Sequence, residues 1–172
     1  PPNFDFITYC GKLLIQAGAV VNARNSYDQT PLHLAATWEA ASLLVEHGAW
    51  INVGEMHSGE TPLLSRVKSL QENSHFTYEQ QNSTETQTRH WQKLLEKGFD
   101  PWIADSNGET ALSVLLTHHN VSLAKSLLEV LLKNQKDVNK KHTNGLTILH
   151  IICSLGNDEL QGTIDNVLKL RA

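Results

Sequence analysis

The pattern of apolar and polar residues contains a four-residue phrase that begins with threonine and recurs along the chain at irregular intervals. A second phrase, a leucine pair near the end of an apolar run, occurs at residues 13–19, 43–49, 94–100 and 131–137. Two motifs that alternate through 172 residues indicate one supersecondary unit used several times, because such a unit buries its apolar face only against a stacked neighbour. The copies of the first phrase are Thr30-Pro31-Leu32-His33, Thr61-Pro62-Leu63-Leu64, Thr110-Ala111-Leu112-Ser113 and Thr147-Ile148-Leu149-His150.

The two phrases mark the beginning and the end of helices. Thr30 is a good N-cap, and Pro31 at the first helical position loses no hydrogen bond. The residues from 32 to 36 add a small-residue apolar face, so a helix is predicted to begin here. A second helix is predicted to end after residues 43–45, where Gly48 is free to take the left-handed conformation. An extended segment at 50–53 and the turn at Ser58-Gly59 complete a unit of helix, turn, helix and hairpin loop.

These residues resemble the ankyrin repeat family, whose signature runs roughly G-x-T-P-L-H-x-A-A, then a second helix ending L-L-x-x-G-A. Residues 29–36 and 43–49 carry the most specific match, and residues 107–110 and 144–147 carry partial ones. The resemblance implies an all-α solenoid of stacked helix-turn-helix units with hairpin-like finger loops. It predicts a partial repeat at 1–25, repeats at 26–56, 57–105 and 106–142, and a last repeat at 143–172. The chain is expected to be a fragment of a larger multidomain protein.

The repeat at 57–105 is predicted to contain a polar insertion at residues 65–90. The two phrases are separated by 13 residues from Thr30 to Leu43 but by 33 from Thr61 to Leu94. Most of the excess lies at 71–90, which is almost wholly Gln, Asn, Ser, Thr and Glu. Such composition buries too little surface to offset its ordering entropy, so a mobile loop is predicted. A polar helical hairpin is the alternative, since the segment has no glycine or proline.

Charge, hydropathy and cysteine content indicate which partners and which cellular compartment to expect. The net charge of −4 and the pI of about 6.1 disfavour a nucleic-acid partner. No apolar stretch approaches the roughly 20 residues that span a bilayer, and no signal peptide is seen, so no membrane insertion is expected. Cys10 and Cys153 fall in the first and last repeats and are not expected to meet, which fits a reducing cytoplasmic or nuclear location.

Nine histidines raise the question of a metal site, which their spacing does not support. His33 and His150 occupy the ankyrin signature position, where the resemblance implies an imidazole that ties adjoining turns together. No phosphate loop, nucleophile elbow or paired carboxylates are found either. We therefore expect no enzyme activity, no cofactor and no metal.

Two tryptophans depart from the family pattern in the finger loops. Trp50 stands where the signature has aspartate, and Trp102 stands near the following asparagine. Aromatic anchors on a rigid scaffold are typical of interface hot spots, although each indole could instead pack on the neighbouring finger. Trp38 and Trp91 are expected to pack locally. The full set of candidate partner-binding residues is Tyr27, Asp28, Trp38, Trp50, Met56, His57, Trp102 and Asn107.

The resemblance predicts a protein–protein interaction module that presents a concave groove to a protein partner. Two alternatives remain open. The chain could be an intramolecular structural or regulatory segment, or it could be the targeting part of an enzyme or pathogen effector whose catalytic domain lies elsewhere.

Asparagine hydroxylation is a further hypothesis that comes from the resemblance. Ankyrin repeats are frequent substrates of a hydroxylase that reads a leucine some eight residues before a finger asparagine. Asn139 follows Leu131 at that spacing, and Asn22 follows Leu14. The alternative is that Asn139 only stabilises its own turn.

Overall fold

The computed structural model describes residues 4–72, 84–117, 126–128, 130–131, 139, 141, 145–147, 149–150 and 153. This part of the chain is helical, and no β-strand is assigned within it. Short helical stretches also occur at 126–128 and 130–131. The elements are α1 (Phe4–Gln16), the 3-10 helix η1 (Pro31–Leu34), α2 (Trp38–Glu46), α3 (Pro62–Glu72), α4 (Thr84–Glu96) and α5 (Ala111–Thr117).

The three helices that begin just after Thr30, Thr61 and Thr110 stack in a row. Helix η1 packs on α3, and α3 packs on α5, while α1 packs on α2 and α2 also contacts η1. Stacking of equivalent elements buries one continuous core, as expected for a repeat architecture. The all-α solenoid predicted from the sequence is confirmed for the described residues. The largest fully buried leucines are Leu64, Leu112, Leu115, Leu127, Leu128 and Leu131.

Three helices end in the same way, at a glycine in the left-handed conformation. Gly18, Gly48 and Gly98 have φ of 93°, 85° and 94°. The residue after each glycine donates its N–H to the carbonyl five residues earlier, which satisfies an orphan carbonyl of the last turn. The predicted helix end at Gly48 is therefore confirmed. The three N···O distances are 2.9 Å from Ala19 to Leu14, 3.0 Å from Ala49 to Leu44 and 3.1 Å from Phe99 to Leu94.

The first helix of the second repeat is shorter than predicted. Only the four residues of η1 are helical, and Ala35 is already extended. Thr37 then caps α2, its Oγ1 accepting the Ala40 N–H at 3.2 Å. The 13 residues between Thr30 and Leu43 leave room for one 3-10 turn before a nine-residue α2. The predicted apolar face is wrong at Leu34, which is 62% exposed.

The predicted loop at 65–90 is wrong at both ends. Helix α3 continues to Glu72 and α4 begins at Thr84, while residues 73–83 lie outside the described part of the chain. Trp91 and Leu95 of α4 are 6% and 5% exposed and belong to the core. Burial of these two side chains stabilises a helix whose composition alone does not, because helix stability in proteins comes mostly from packing of an apolar face.

Candidate functional site

In the described part of the chain three loops project between the helix pairs: finger A (residues 19–29), finger B (49–60) and finger C (99–109). In fingers A and C one side-chain oxygen organises the turn. Asn25 Oδ1 accepts the N–H groups of Tyr27 and Gln29 at 3.0 and 2.9 Å. Asp105 Oδ1 accepts those of Asn107 and Glu109, both at 2.9 Å. A short side chain that bonds to the backbone ahead of it fixes the turn without help from a partner.

In finger B the turn is organised by the longer side chain of a glutamate. Its turn has one residue more than those of fingers A and C, and Glu55 replaces Asn or Asp. Glu55 Oε2 accepts the His57 N–H at 2.9 Å, and Oε1 accepts hydrogen bonds from the Ser58 N–H and hydroxyl. Burial opposes ionisation of Glu55, but the donors of Ser58, His57 and Glu60 outweigh it and lower its pKa to about 2. Glu55 is a structural anion at neutral pH.

Each turn closes on a residue with positive φ. Gly59 and Gly108 have φ of 74° and 80°, and Asp28 takes the equivalent position in finger A with φ of 62°. Within the described residues Asp28 is the one non-glycine residue in this region. Arg24 Nη1 donates to the Asp28 carboxylate and, at 3.2 Å, to its backbone oxygen. This pair holds finger A in a conformation that the other fingers reach with glycine.

Asparagines at the bases of fingers A and B tie neighbouring repeats together. The amide of Asn22 donates to the Gly48 carbonyl at 2.9 Å and accepts the Trp50 N–H at 2.8 Å. Asn52 makes the same two bonds one repeat later, to the Gly98 carbonyl at 2.8 Å and the Asp100 N–H at 3.0 Å. Both atoms of each amide are engaged, so the fingers are fixed relative to one another.

Trp102 occupies the position in finger C that Asn22 and Asn52 occupy in the others. It is 5% exposed and belongs to the core, so the prediction that it is an exposed anchor is wrong. At this junction apolar packing of the indole takes the place of the two hydrogen bonds that the asparagine makes in fingers A and B. Hydroxylation of Asn22 and Asn139 stays a prediction: Asn22 is engaged with the next repeat, and Asn139 is an exposed turn residue.

Lys68 of α3 joins fingers B and C. Its Nζ lies 2.9 Å from Glu60 Oε1, 2.8 Å from Asp105 Oδ2 and 2.9 Å from Glu109 Oε2. Burial works against the charged form of Lys68, but the three carboxylates outweigh it and raise the pKa of Lys68. Burial likewise works against ionised Asp105, yet Lys68 and the turn N–H groups lower the pKa of Asp105. Lys68 and Asp105 are therefore both held in their charged forms.

The signature histidine His33 contacts its own turn and the next repeat, which is the role that the resemblance implies. His33 Nδ1 lies 3.1 Å from the Thr30 N and 2.9 Å from its Oγ1, and Nε2 lies 3.1 Å from the Glu60 carbonyl. Because Nδ1 accepts a backbone N–H, the proton of the neutral ring is assigned to Nε2, which donates to Glu60. Burial lowers the pKa of His33 and favours this neutral form. His150 repeats the contact with Thr147, its Nδ1 lying 2.7 Å from Oγ1.

Most of the remaining candidate residues lie on the surface of the fingers. Tyr27, Trp50 and Met56 are 65%, 52% and 76% exposed. His57 and Asn107 are exposed, and Asp28 is half-buried. Trp38 lies outside the fingers and stacks on His90, with ring centroids 5.8 Å apart. The structure thus places six candidates on the surface of the fingers, buries Trp102 within finger C and leaves Trp38 outside the fingers; the six are Tyr27, Asp28, Trp50, Met56, His57 and Asn107.

Two surface residues escaped the sequence analysis. Arg24 lies 5.8 Å from the centroid of the Trp50 ring and joins fingers A and B through a cation–π contact. Val20 is 70% exposed and occupies the position in finger A that Trp50 has in finger B. Alignment of the loops on their preceding glycines, Gly18 and Gly48, would have found Val20. No sequence signal pairs Arg24 with Trp50.

The described part of the chain holds neither a candidate metal site nor a membrane-spanning helix. It contains no group of three or more His, Cys, Asp or Glu residues that could hold a metal ion. None of its helices is long and apolar enough to cross a membrane. A shallow groove of about 420 Å³ lies beside finger A and η1, lined by Ala23, Arg24, Asn25, Gln29, Pro31 and Leu34.

A comparison with protein families supports the assignment made from the repeated phrases. Residues 27–55 match the model of the ankyrin repeat. This segment contains η1, α2 and most of finger B up to Glu55, with the His33 contact and the left-handed Gly48 described above. Ankyrin repeats are generally protein–protein interaction modules. The matched repeat, the helical stack and the recurring finger geometry are together consistent with an ankyrin repeat protein.

Proposed function

We propose that this chain is a protein-recognition scaffold that binds a protein partner through fingers A and B, with Tyr27, Trp50 and Met56 as the main contacts. The observation that carries the proposal is the exposure of these three large side chains on loops fixed by hydrogen bonds. Tyrosine and tryptophan dominate the energetics of protein interfaces. Exposed large apolar side chains on a rigid surface are typical of sites that a partner protein covers.

The hydrogen bonds at the base of the fingers favour tight binding. Asn22 fixes the backbone of Trp50, Asn25 fixes that of Tyr27, and Glu55 fixes the turn that begins at Met56. A surface that is already ordered loses less conformational entropy when a partner binds. The fingers therefore present their side chains in a geometry that needs little rearrangement.

The test is quantitative affinity capture from cell extract, with the full 172-residue chain as bait and mass spectrometry as the readout. Trp50→Ala and Tyr27→Ala are compared with Tyr9→Ala, a matched control because Tyr9 is 58% exposed on α1, away from the fingers. A partner of the fingers is captured by the wild type and by Tyr9→Ala, and lost with both finger variants. We expect each finger variant to weaken binding by about 2 kcal/mol, the usual value for a hot spot. Partners captured equally by all four proteins would refute the proposal.

We also propose that the chain has no catalytic activity and works in a reducing compartment of the cell. In support, His33, Glu55 and Asp105 are committed to structural hydrogen bonds. Cys10 and Cys153 are free thiols, as expected where disulfides do not form. Zinc retained at one equivalent after chelator treatment would contradict the expectation that the chain holds no metal. An intermolecular disulfide in protein isolated from cells would contradict a reducing compartment.

A further inference from the structure

Fingers B and C carry an unbalanced charge. Residues 49–60 and 99–109 contain five carboxylates and no lysine or arginine. Finger A differs, since Arg24 is paired with Asp28 there. Among the three fingers, the excess of negative charge is thus confined to fingers B and C. The five carboxylates are Glu55, Glu60, Asp100, Asp105 and Glu109.

Lys68 neutralises only part of this charge. It contacts three carboxylates within 2.9 Å, so this group of four residues keeps a net charge of −2. The Asp105 side chain is fully buried, whereas those of Glu60 and Glu109 are 23% and 41% exposed. The uncompensated charge is therefore presented to solvent by Glu60 and Glu109.

The exposed apolar tip of finger B lies on a loop that is joined to finger C. The Ser106 N–H donates to the Ser58 carbonyl at 2.7 Å, which joins the tips of fingers B and C. Met56, two residues before Ser58, is 76% exposed. An apolar side chain and a pair of partly exposed carboxylates thus lie on two loops that are tied to each other by a hydrogen bond and by Lys68.

We propose that fingers B and C bind a partner segment that places an arginine or lysine side chain against Glu60 and Glu109 and an apolar side chain against Met56. The inference rests on the proposed function and adds the chemistry of the partner. Charge complementarity carries it, because opposite potentials steer association and reject partners of like charge. A nucleic acid is repelled by these fingers. A second copy of this chain, with its net charge of −4, is disfavoured for the same reason.

The test selects random-sequence peptides, displayed on phage, against the full chain at low salt. Binding of the selected peptides is then measured by fluorescence anisotropy with the wild type, Glu109→Gln, Met56→Ala and Trp50→Ala. Glu39→Gln is the matched control, since Glu39 is an exposed carboxylate on α2. We expect the selected peptides to be rich in arginine or lysine and to bind Glu109→Gln about two- to fivefold more weakly, as for an exposed ion pair. Added salt should weaken binding to the wild type and leave the residual binding of Glu109→Gln less affected.

Failure of this inference differs from failure of the proposed function. Peptides that require Trp50 but carry no excess of basic residues, or that bind Glu109→Gln as well as the wild type, would overturn the charge assignment and leave the finger surface intact. Peptides that bind all variants equally, or no enrichment of any peptide, would count against the finger surface itself. Glu109→Gln replaces a partly exposed group, and circular dichroism of the variant checks that the helices remain.

Discussion

The imidazole of His33 joins two repeats, because its Nε2 donates a hydrogen bond to the backbone oxygen of Glu60 at 3.1 Å while its Nδ1 accepts the N–H of Thr30 at 3.1 Å. The ring serves as donor and acceptor at once. Only the neutral form with the proton on Nε2 makes both bonds. Protonation of Nδ1 would remove the bond with Thr30, which orients the ring toward Glu60, so the geometry of this contact depends on the protonation state of a single buried ring.

The first prediction concerns pH. Burial lowers the pKa of His33 in the folded chain below its usual value of 6.5, so the unfolded chain takes up a proton first as the pH falls. The contribution of His33 to the free energy of unfolding should be complete above about pH 6.5 and decline below it. Urea denaturation at pH 7.5 and 5.5 measures this loss. His33→Leu should show a smaller loss than the wild type, while His57→Gln, a control at an exposed histidine, should behave as the wild type does. An unchanged pH dependence in His33→Leu would contradict the assignment.

The second prediction concerns Lys68. Lys68→Met removes the partner of Asp105, whose side chain is fully buried, and leaves three carboxylates together. We expect the free energy of unfolding to fall by about 2–4 kcal/mol, because an uncompensated buried charge is strongly destabilising. Lys97→Met is the control: Lys97 lies 3.8 Å from an exposed Glu46, and such surface pairs contribute about 0.5 kcal/mol. Equal losses for the two variants, measured by urea denaturation, would show that the network around Lys68 is not structural.

The third prediction separates the surface of the fingers from the core. Trp50→Ala should lower the free energy of unfolding by no more than about 1 kcal/mol, the value of its contact with Arg24. Leu64→Ala should lower it by about 2–5 kcal/mol, since Leu64 is fully buried and its truncation leaves a cavity. Thermal or urea denaturation compares the two. A comparable loss for Trp50→Ala would make Trp50 a core residue and remove the basis of the proposed function.

The fourth prediction tests whether α4 is packed on the stack. Trp91 is 6% exposed, so Trp91→Ala should cost about 3–5 kcal/mol of stability. Trp38→Ala removes a partly buried side chain that stacks on His90 and should cost less, about 2 kcal/mol. If Trp91→Ala is as mild as Trp38→Ala, the residues around Trp91 do not form part of the core, and the loop predicted from composition is the better description.

The sequence determined the features that depend on a few adjacent residues. The threonine phrase marked the starts of η1, α3 and α5, and the glycine after each leucine pair marked the helix ends at Gly18, Gly48 and Gly98. Capping and the left-handed conformation of glycine are local properties, so they can be read from the chain directly. The ankyrin resemblance followed from the order of these local signals.

Tertiary structure alone separated Trp50 from Trp102. Both follow a helix-ending glycine by a few residues, yet Trp50 is 52% exposed and Trp102 is 5% exposed. Trp102 stands at the position where fingers A and B have an asparagine that hydrogen-bonds to the backbone of the next repeat. The Trp102 side chain belongs to the core instead. Whether an indole is covered depends on residues far away in sequence, and a loop pattern does not contain that information.

The same reason explains the two other surprises. Composition predicted a loop where α4 forms, because composition counts polar residues and does not register that Trp91 and Leu95 reach the core. Nothing in the sequence pairs Lys68 with Asp105, 37 positions away, yet that contact ties α3 to finger C. The chain's local signals set the repeating unit, and the stacking of the units set which side chains are buried, which charges are paired and which surfaces remain free for a partner.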